Sequence, residues 1–514
     1  MSRPDHARRV GGALGWGVAA RLARMVLGLT GTFIVVRQLG SHDYGILAVV
    51  RTALAYVGIV IGAGLGQGLL RYLPAWRVTA DRRRIRRALI AAFGLQVIVW
   101  TLLTLAIMIA RPLVEGWVGG AVAGLLVLGV VLLLPEVLGH TATQIANANY
   151  DTRTLSVGVV VSTVAYVVSV AVLLQLGHGV AGVLVAGALS NVVLAAVLFA
   201  RFGAYLGQAV HTGPGAEPAP DVWTAVRYSV PFVAIGILNL ITWRQSEVLF
   251  LGHFHGASAA GLFDLAYRLP QTVLEFIPGA IWPLVMAGST EIFVRDPGAL
   301  RRTSGAYYRL LFLLVAPLGI GGFLVGDIMI RLIGGPEFAA AGVFCQIFFL
   351  VMSASFLTTP LSMALYVVER PWMGFGIYVL NSVINVGLDF LLIPRYGLWG
   401  AVIPVSVVIV ISPFVTAAVL RRVDIVIRPP WGFLLRVYGA SAAMLLLWPL
   451  RSLLAGPEGF LTLVAAGAGV FLTGVRVFGV FGPDERDLVE RASPAVWKVM
   501  RPLVGRRGRR GGLP

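Results

Sequence analysis

Two arginines lie inside the first long apolar run of this chain. Arg21 and Arg24 are three residues apart within Gly11–Val36, and that spacing places both side chains on one face of a helix. A charged side chain inside a bilayer costs about 3 kcal/mol or more, so it must face a cavity or an oppositely charged partner. A guanidinium group binds phosphate or pyrophosphate oxygens in a bidentate manner. We therefore expect this pair to bind an anionic ligand in a cavity, with an interhelical salt bridge as the alternative.

Five further ionisable residues lie in or beside later apolar runs. Arg51 either lines the path of a substrate or extends its side chain to the outer surface. Arg244 and Glu247 have i,i+3 spacing, and Asp264 and Arg268 have i,i+4 spacing. These four residues predict either an ion-pair cluster that joins two halves of the protein near the outer side, or a gate or substrate contact.

Two more polar groups have helical spacing. Asn381, Asn385 and Asp389 form an i, i+4, i+8 stripe, which indicates hydrogen bonds between helices or a face that contacts sugar. Glu136, with His140 four residues later, is a candidate protonation site, and a neutral structural carboxyl group is the alternative.

The composition indicates that most of the chain lies in a bilayer. Hydrophobic residues make up 58% of it and charged residues 12%, whereas soluble domains carry roughly 25% charged residues. A single cysteine, Cys345, excludes a disulfide framework. Lys498 is the only lysine and lies in no phosphate-binding loop, which excludes an ATP-driven pump of the P-loop class. His253 and His255 are too few ligands for a metal, and we expect neither a metal nor a cofactor.

Apolar runs and turn signals predict fourteen transmembrane helices. They lie near residues 12–37, 44–71, 88–110, 118–146, 154–176, 179–201, 225–252, 258–290, 306–332, 339–367, 372–393, 398–420, 431–451 and 459–480.

The formal charge of +18 is concentrated in alternate connections and in the C-terminal tail. Such an asymmetry marks the cytoplasmic side, so we expect a multi-pass protein of the cell (plasma or inner) membrane with both termini in the cytoplasm. The basic tail at 481–514 is expected to contact anionic lipid headgroups. Basic residues that are distributed in this way do not indicate nucleic-acid binding.

An internal repeat with an offset of about 217 residues divides these helices. Gly40, Gly45 and Arg51 correspond to Gly256, Gly261 and Arg268. Because the two copies begin six helices apart, they enter the membrane in the same sense. The predicted fold is an all-α integral membrane protein with two parallel six-helix lobes and two accessory helices. Its parts are an N-lobe at 1–201, a cytoplasmic linker at 202–224, a C-lobe at 225–420, helices 13 and 14 at 431–480, and the basic tail.

Four segments carry a resemblance to a known family. They are Val36–Gly45 (VRQLGSHDYG), Gly62–Tyr72 (GAGLGQGLLRY), Leu251–Phe254 (LGHF) with Gly261–Leu269 (GLFDLAYRL), and Asn381–Ala401, which ends in RYGLWGA. In this order and spacing the chain resembles the polysaccharide transporter, or oligosaccharide flippase, family. That family belongs to the multidrug/oligosaccharidyl-lipid/polysaccharide exporter superfamily. Gly62 stands where the family often has an acidic residue, so no cation site is expected there.

The resemblance implies a flippase that moves an undecaprenyl-pyrophosphate-linked oligosaccharide from the cytoplasmic to the outer leaflet by alternating access. It implies a lipid-linked glycan as substrate, membrane lipids, a polysaccharide polymerase and glycosyltransferases as partners, and coupling to a proton or sodium gradient. A lipid II flippase or a drug or metabolite exporter of the same fold is the alternative. An enzyme is not expected, because the paired carboxylates and the large outer loop of membrane glycosyltransferases and polymerases are missing.

Overall fold

The computed structural model describes residues 3–62, 64–79, 82–149, 151–207, 222–243, 246–295, 299–367, 371–454 and 456–481. These residues form helices, and no strand occurs among them. Helices are expected here because a bilayer leaves every backbone group to be hydrogen-bonded within its own segment.

The helices follow one another with short connections. In chain order they are α1 (Arg3–Gly62), α2 (Leu65–Thr79), α3 (Arg82–Ile109), α4 (Arg111–Val118), α5 (Gly120–Leu132), α6 (Leu134–Ala148), α7 (Thr152–Gln175), α8 (Gly179–Ala200), α9 (Phe202–Gly207), α10 (Val222–Trp243), α11 (Ser246–Phe254), α12 (Ala257–Arg295), α13 (Ala299–Gly334), α14 (Ala341–Ser355), α15 (Thr359–Val367), α16 (Pro371–Tyr396), α17 (Leu398–Arg421), α18 (Trp431–Ala442) and α19 (Pro457–Val477), with 3₁₀ helices at Pro336–Phe338 and Ala443–Arg451.

Within the described ranges, eleven helical stretches are long and apolar enough to cross a bilayer, or twelve if α5 and α6 form one bent span. The stretch Arg21–Pro74 has 54 residues, more than twice the roughly 20 residues that one crossing needs. It bends at Gly40, whose φ of 71° and ψ of 179° are readily adopted only by glycine. We call residues 3–39 the first segment of α1 and residues 41–62 its second segment. This bend is the turn that the sequence predicts between its first two helices.

The helix predicted at 118–146 is broken in its middle, although its two parts together are long and apolar enough to form one bent span. α5 ends at Leu132, α6 begins at Leu134, and the two are bent by 40°. Pro135 lies in the first turn of α6, where its missing N–H group does no harm. The Val130 carbonyl group near the break accepts a hydrogen bond from Trp100 Nε1 at 2.8 Å.

The helix predicted at 339–367 is broken as well. It is the tenth predicted helix, which the repeat pairs with the fourth at 118–146. α14 ends at Ser355, and α15 begins at Thr359. The Leu357 carbonyl group in the break accepts a hydrogen bond from the Tyr308 hydroxyl group of α13 at 2.8 Å. Interruptions at corresponding positions of two repeats are typical of helices near a transporter's binding site.

Internal contacts divide the chain into two compact units. Unit 1 contains Met1–Asp264 and Val386–Ala401, and unit 2 contains Leu265–Asn385 and Val402–Pro514. The divisions lie within α12, α16 and α17, so the lobe bounds that the repeat suggests stay a prediction. Residues 208–221 of the predicted linker and 482–514 of the predicted tail lie outside the described residues.

The accessory helices of unit 2 are anchored on α13. The predicted helix at 431–451 is α18 followed by a 3₁₀ helix, in which the Arg451 guanidinium group pairs with Asp327. The same guanidinium group lies 3.9 Å from the centre of the Trp448 ring. Met444 packs so closely against Gly321 that a Cβ atom there would lie 2.9 Å from its Cε atom. α18 and the 3₁₀ helix therefore pack as part of unit 2.

Asp151 caps the start of α7. Its carboxylate accepts hydrogen bonds from the Thr154 amide at 3.0 Å and from the Tyr205 hydroxyl group at 2.9 Å. Partial burial acts to raise the pKa of Asp151, but these hydrogen bonds and the charge of Arg201 outweigh burial and hold the pKa below its ordinary value.

Asp151→Ala is expected to lower the free energy of unfolding by about 1 kcal/mol at neutral pH, because α7 loses its N-cap. The pKa of Asp151 is lower in the folded state than in the unfolded state. The extra stability is therefore present above the unfolded value and is lost as the pH falls through the folded value. Thermal unfolding in detergent should be measured from about pH 7 to about pH 3. The difference in stability between wild type and Asp151→Ala should become smaller as the pH falls. Asp151→Asn keeps a good N-cap, so at neutral pH it should lose less stability than Asp151→Ala. Equal stability of wild type and Asp151→Ala at neutral pH would contradict the prediction.

Candidate functional site

Arg21 and Arg24 are exposed on the first segment of α1. At a rise of 1.5 Å per residue, they lie about 28 and 24 Å from Gly40 along the helix. Both residues lie on the apolar stretch Arg21–Pro74, which is long enough to cross a bilayer. Arg21 takes part in at least one interaction, so the choice between an anionic ligand and an interhelical salt bridge stays open for this pair.

Arg51 lies in the middle of the second segment of α1, and its side chain is half-buried. Its Nη2 atom donates a hydrogen bond to the Tyr166 hydroxyl group of α7 at 3.0 Å. The Arg51 charge also interacts electrostatically with Glu136. These contacts hold the guanidinium group at mid-helix rather than at the outer surface, which favours the interpretation that it lines a path for substrate.

Glu136 lies in the first turn of α6, directly after the break at Leu133. A carboxylate is stabilised at a helix N-terminus by the partial positive charge of the backbone amides. Glu136 and His140 are both exposed, although they lie in the middle of an apolar span. Both interpretations of Glu136, as a protonation site and as a neutral structural carboxyl group, stay open.

Glu247 and Asp389 form a buried acidic pair within unit 1. Their exposed fractions are 2% and 0%, and the two carboxyl groups interact electrostatically with each other and with Tyr56. The Ser246 hydroxyl group donates to Asp389 Oδ2 at 2.8 Å, and both acidic residues take part in further interactions. Two neighbouring carboxyl groups that are removed from water can share a proton or attract a cation.

Asp264 lies where two glycine turns meet, and the repeat relates these turns to each other. The buried Tyr44 hydroxyl group donates to Asp264 Oδ2 at 2.6 Å. A Cβ atom on Gly45 would overlap the Ala257 carbonyl group, and one on Gly261 would lie 2.9 Å from Gly45 Cα. These two glycines therefore allow close backbone contact between α1 and α12 within unit 1.

The structure leaves the predicted ion-pair cluster untested, because its four residues do not all lie in one described unit. Glu247 and Asp264 belong to unit 1, and Arg268 belongs to unit 2. Arg244 lies outside the described residues. The choice between an ion-pair cluster and a gate therefore stays open.

Asn381 and Asn385 are buried in unit 2. The Asn381 amide group donates to Ser412 Oγ of α17 at 3.2 Å. Side-chain hydrogen bonds of this kind join membrane helices, which favours the helix-packing interpretation of Asn381 over contact with sugar.

Sequence reasoning missed the hydroxyl partners of the charged residues: Tyr44, Tyr166 and Ser246. Tyr44 stands beside Gly45 in the first family motif, where it could have been noticed. No local pattern marks Tyr166, because its partner is 115 residues away in the chain. Across the described ranges, no group of three or more His, Cys, Asp or Glu side chains is arranged to hold a metal ion.

A family model described as polysaccharide biosynthesis protein matches residues 34–343. Among curated proteins, none matches the chain. Several solved structures are similar to it, all with identities low enough that they establish the fold alone.

One of these structures is the lipid II flippase MurJ in an inward closed conformation, with a TM-score of 0.68, 13% identity, and coverage of 92% of this chain and 99% of that one. Another is an inward-facing multidrug resistance MATE family transporter of the MOP superfamily, with a TM-score of 0.60, 15% identity, and coverage of 79% and 98%. A third is a MOP superfamily transporter from Pyrococcus furiosus, with a TM-score of 0.56, 14% identity, and coverage of 80% and 95%. The helices described above therefore have a transporter fold of the MOP type.

Proposed function

The chain belongs to the polysaccharide biosynthesis protein family, and from this premise we propose that it flips an undecaprenyl-pyrophosphate-linked oligosaccharide from the cytoplasmic to the outer leaflet. It is a multi-pass membrane protein with the fold of flippases and exporters. The observation that carries the proposed substrate is the row of arginines on α1. Arg21 and Arg24 are exposed within an apolar helix, and Arg51 is half-buried at the middle of the next segment. Guanidinium groups bind a diphosphate and repel cationic drugs.

The proposed architecture has fourteen transmembrane helices in two parallel lobes with an accessory pair, and both termini in the cytoplasm of the cell membrane. The two segments of α1, the bent pair α5 and α6, and the 39-residue helix α12 support this count. The loop charges support the orientation.

The proposed mechanism is alternating access. Arg21 and Arg24 receive the diphosphate from the cytoplasmic side, Arg51 contacts it deeper in the membrane, and the lipid tail stays in the bilayer. Glu247 with Asp389, and separately Glu136, are the proposed places where a proton or sodium gradient couples to this movement. A polymerase and glycosyltransferases are the proposed partners, because they consume and supply a lipid-linked glycan.

A lipid II flippase is the second candidate function. The structural similarity to MurJ over 92% of this chain favours it, and its substrate shares the same diphosphate. The family model favours the polysaccharide precursor.

Flipping by the full-length chain in proteoliposomes tests the proposal. The substrates are a fluorescent undecaprenyl-diphosphate oligosaccharide, fluorescent lipid II, and a cationic dye as the exporter control. We expect the oligosaccharide lipid to flip fastest and the dye to show no transport. Preferential flipping of lipid II would favour the second candidate, and transport of the dye alone would overturn the proposal.

A further inference from the structure

Arg51 and Tyr166 form a polar contact in the middle of unit 1. The Arg51 Nη2 atom donates to the Tyr166 hydroxyl group at 3.0 Å, and both residues lie near the centre of their helical segments. Both side chains are half-buried. The bond therefore fixes a cationic group far from either end of the apolar segments.

A guanidinium group at this depth needs a partner that orients it without neutralising it. A free arginine side chain has about 2 kcal/mol of rotamer entropy to lose when it is fixed. Glu136 attracts Arg51 electrostatically, but a carboxylate also cancels the positive charge. The Tyr166 hydroxyl group is uncharged, so it directs the guanidinium group while leaving the charge available to an anion.

The position of the Tyr166 ring depends on Gly31 in the first segment of α1. A Cβ atom on Gly31 would lie 2.9 Å from Tyr166 Cε1 and 3.3 Å from Cδ1, which is closer than packed carbon atoms approach. A larger residue would therefore displace the ring and its hydroxyl group. Gly28, about one turn earlier on the same segment, has nothing within 4 Å of its Cβ position.

We propose that Tyr166 is a positioning residue that holds Arg51 towards the diphosphate of the substrate. The missing side chain of Gly31 leaves room for the Tyr166 ring in this position. This inference rests on the proposed function, because it assumes that the substrate carries a diphosphate. It adds a residue that carries no charge and belongs to none of the sequence motifs.

The test measures binding of geranylgeranyl diphosphate, compared with geranylgeranyl monophosphate, to the purified full-length protein, and flipping by the same variants in proteoliposomes. Tyr166→Phe keeps the ring and removes only the hydroxyl group. We expect it to weaken binding of the diphosphate and raise KM for flipping by about tenfold, because the freed Arg51 side chain must then lose rotamer entropy when it binds the diphosphate, with little change in the maximal rate.

A double-mutant cycle separates positioning from a general loss of stability. If Tyr166 acts through Arg51, the variant Arg51→Ala/Tyr166→Phe should bind the diphosphate as weakly as Arg51→Ala alone. Tyr438→Phe removes another tyrosine hydroxyl group, which contacts Ser353 in unit 2, and should bind like wild type.

The glycine pair supplies a second comparison. Gly31→Ala should reproduce the weaker binding of Tyr166→Phe, whereas Gly28→Ala should bind the diphosphate like wild type. Both variants add one methyl group on the same helix, and the close contact with Tyr166 is the main difference between them, since the other neighbour of Gly31, Val167, lies at an ordinary 3.7 Å.

Three outcomes overturn the inference. Unchanged diphosphate binding by Tyr166→Phe, while Arg51→Ala binds weakly, removes the positioning role and leaves the proposed function intact. Additive losses in the double variant show that Tyr166 does not act through Arg51. Equal binding of diphosphate and monophosphate by wild type overturns the substrate chemistry on which both proposals depend. If the expected binding losses occur but wild type does not flip the oligosaccharide lipid, the positioning role is supported and the proposed function fails.

Discussion

The variant Arg21→Ala/Arg24→Ala is expected to lose at least about 99% of the flipping activity at a normal protein level. Each guanidinium group is exposed on an apolar helix and would bind the diphosphate through charge-assisted hydrogen bonds. Such a bond contributes about 1.5–3 kcal/mol, and every 1.4 kcal/mol corresponds to about a factor of ten. Two lost contacts therefore correspond to about a hundredfold or more.

Surface polysaccharide in a strain that carries the variant, and flipping in proteoliposomes, measure this effect. Arg21→Lys/Arg24→Lys keeps both charges but loses the planar fork that binds two oxygens at once, so it should retain intermediate activity. Arg111→Ala removes an exposed arginine that pairs with Glu115 at 2.7 Å and should leave activity unchanged. Normal export by the double alanine variant would show that these arginines do not bind substrate.

Gly45→Ala should destabilise the protein strongly. The added Cβ atom would overlap the Ala257 carbonyl group, and the Cα atom of Gly45 already lies within 2.9 Å of the Cβ position of Gly261. Both obstacles are close to backbone, which cannot rotate away as a side chain can. Overpacking typically costs 1–3 kcal/mol, and we expect about 3 kcal/mol or more at this site, because α1 and α12 must separate and the Tyr44–Asp264 hydrogen bond must break.

Thermal unfolding in detergent and the amount of folded protein in the membrane measure this loss. Gly62→Ala is the matched control on the same segment, since nothing lies within 4 Å of its Cβ position. Alanine is favoured over glycine in helices by about 1 kcal/mol, so the control should be as stable as wild type or slightly more stable. Unchanged stability of Gly45→Ala would show that the contact between the two turns is loose.

Much of the helical content could be predicted from local sequence. The turn at Gly40 follows from its sequence, and α7, α8 and α17 lie close to their predicted bounds. The breaks at Leu133 and near Leu357 could not be read from hydropathy, because an apolar run of about 20 residues looks the same whether it is one helix or two. Pro135 and Pro360 stand near these breaks, and proline favours the first turn of a helix, but proline also occurs inside membrane helices.

The charged residues of the candidate site could be predicted from the sequence, but the residues that contact them could not. Arg21, Arg24 and Arg51 are conspicuous because a charge inside an apolar run is costly wherever it points. The pairing of Glu247 with Asp389 was not predictable, since the sequence placed the first beside Arg244 and the second in a stripe with Asn381. Pairings of this kind depend on which helices pack together, and helical spacing reports only on neighbours within one helix.

The sequence by itself determined that the chain crosses a membrane as helices, that it resembles a polysaccharide transporter family, and that arginines lie where lipid should exclude them. Runs of about 20 residues and short motifs determine those properties, because transfer into a bilayer depends on each segment separately. Only the tertiary structure decided that Tyr166 holds Arg51, that Tyr44 holds Asp264, and that two buried carboxyl groups meet in unit 1. These contacts join residues far apart in the chain, and packing between helices, rather than any local pattern, sets which of them meet.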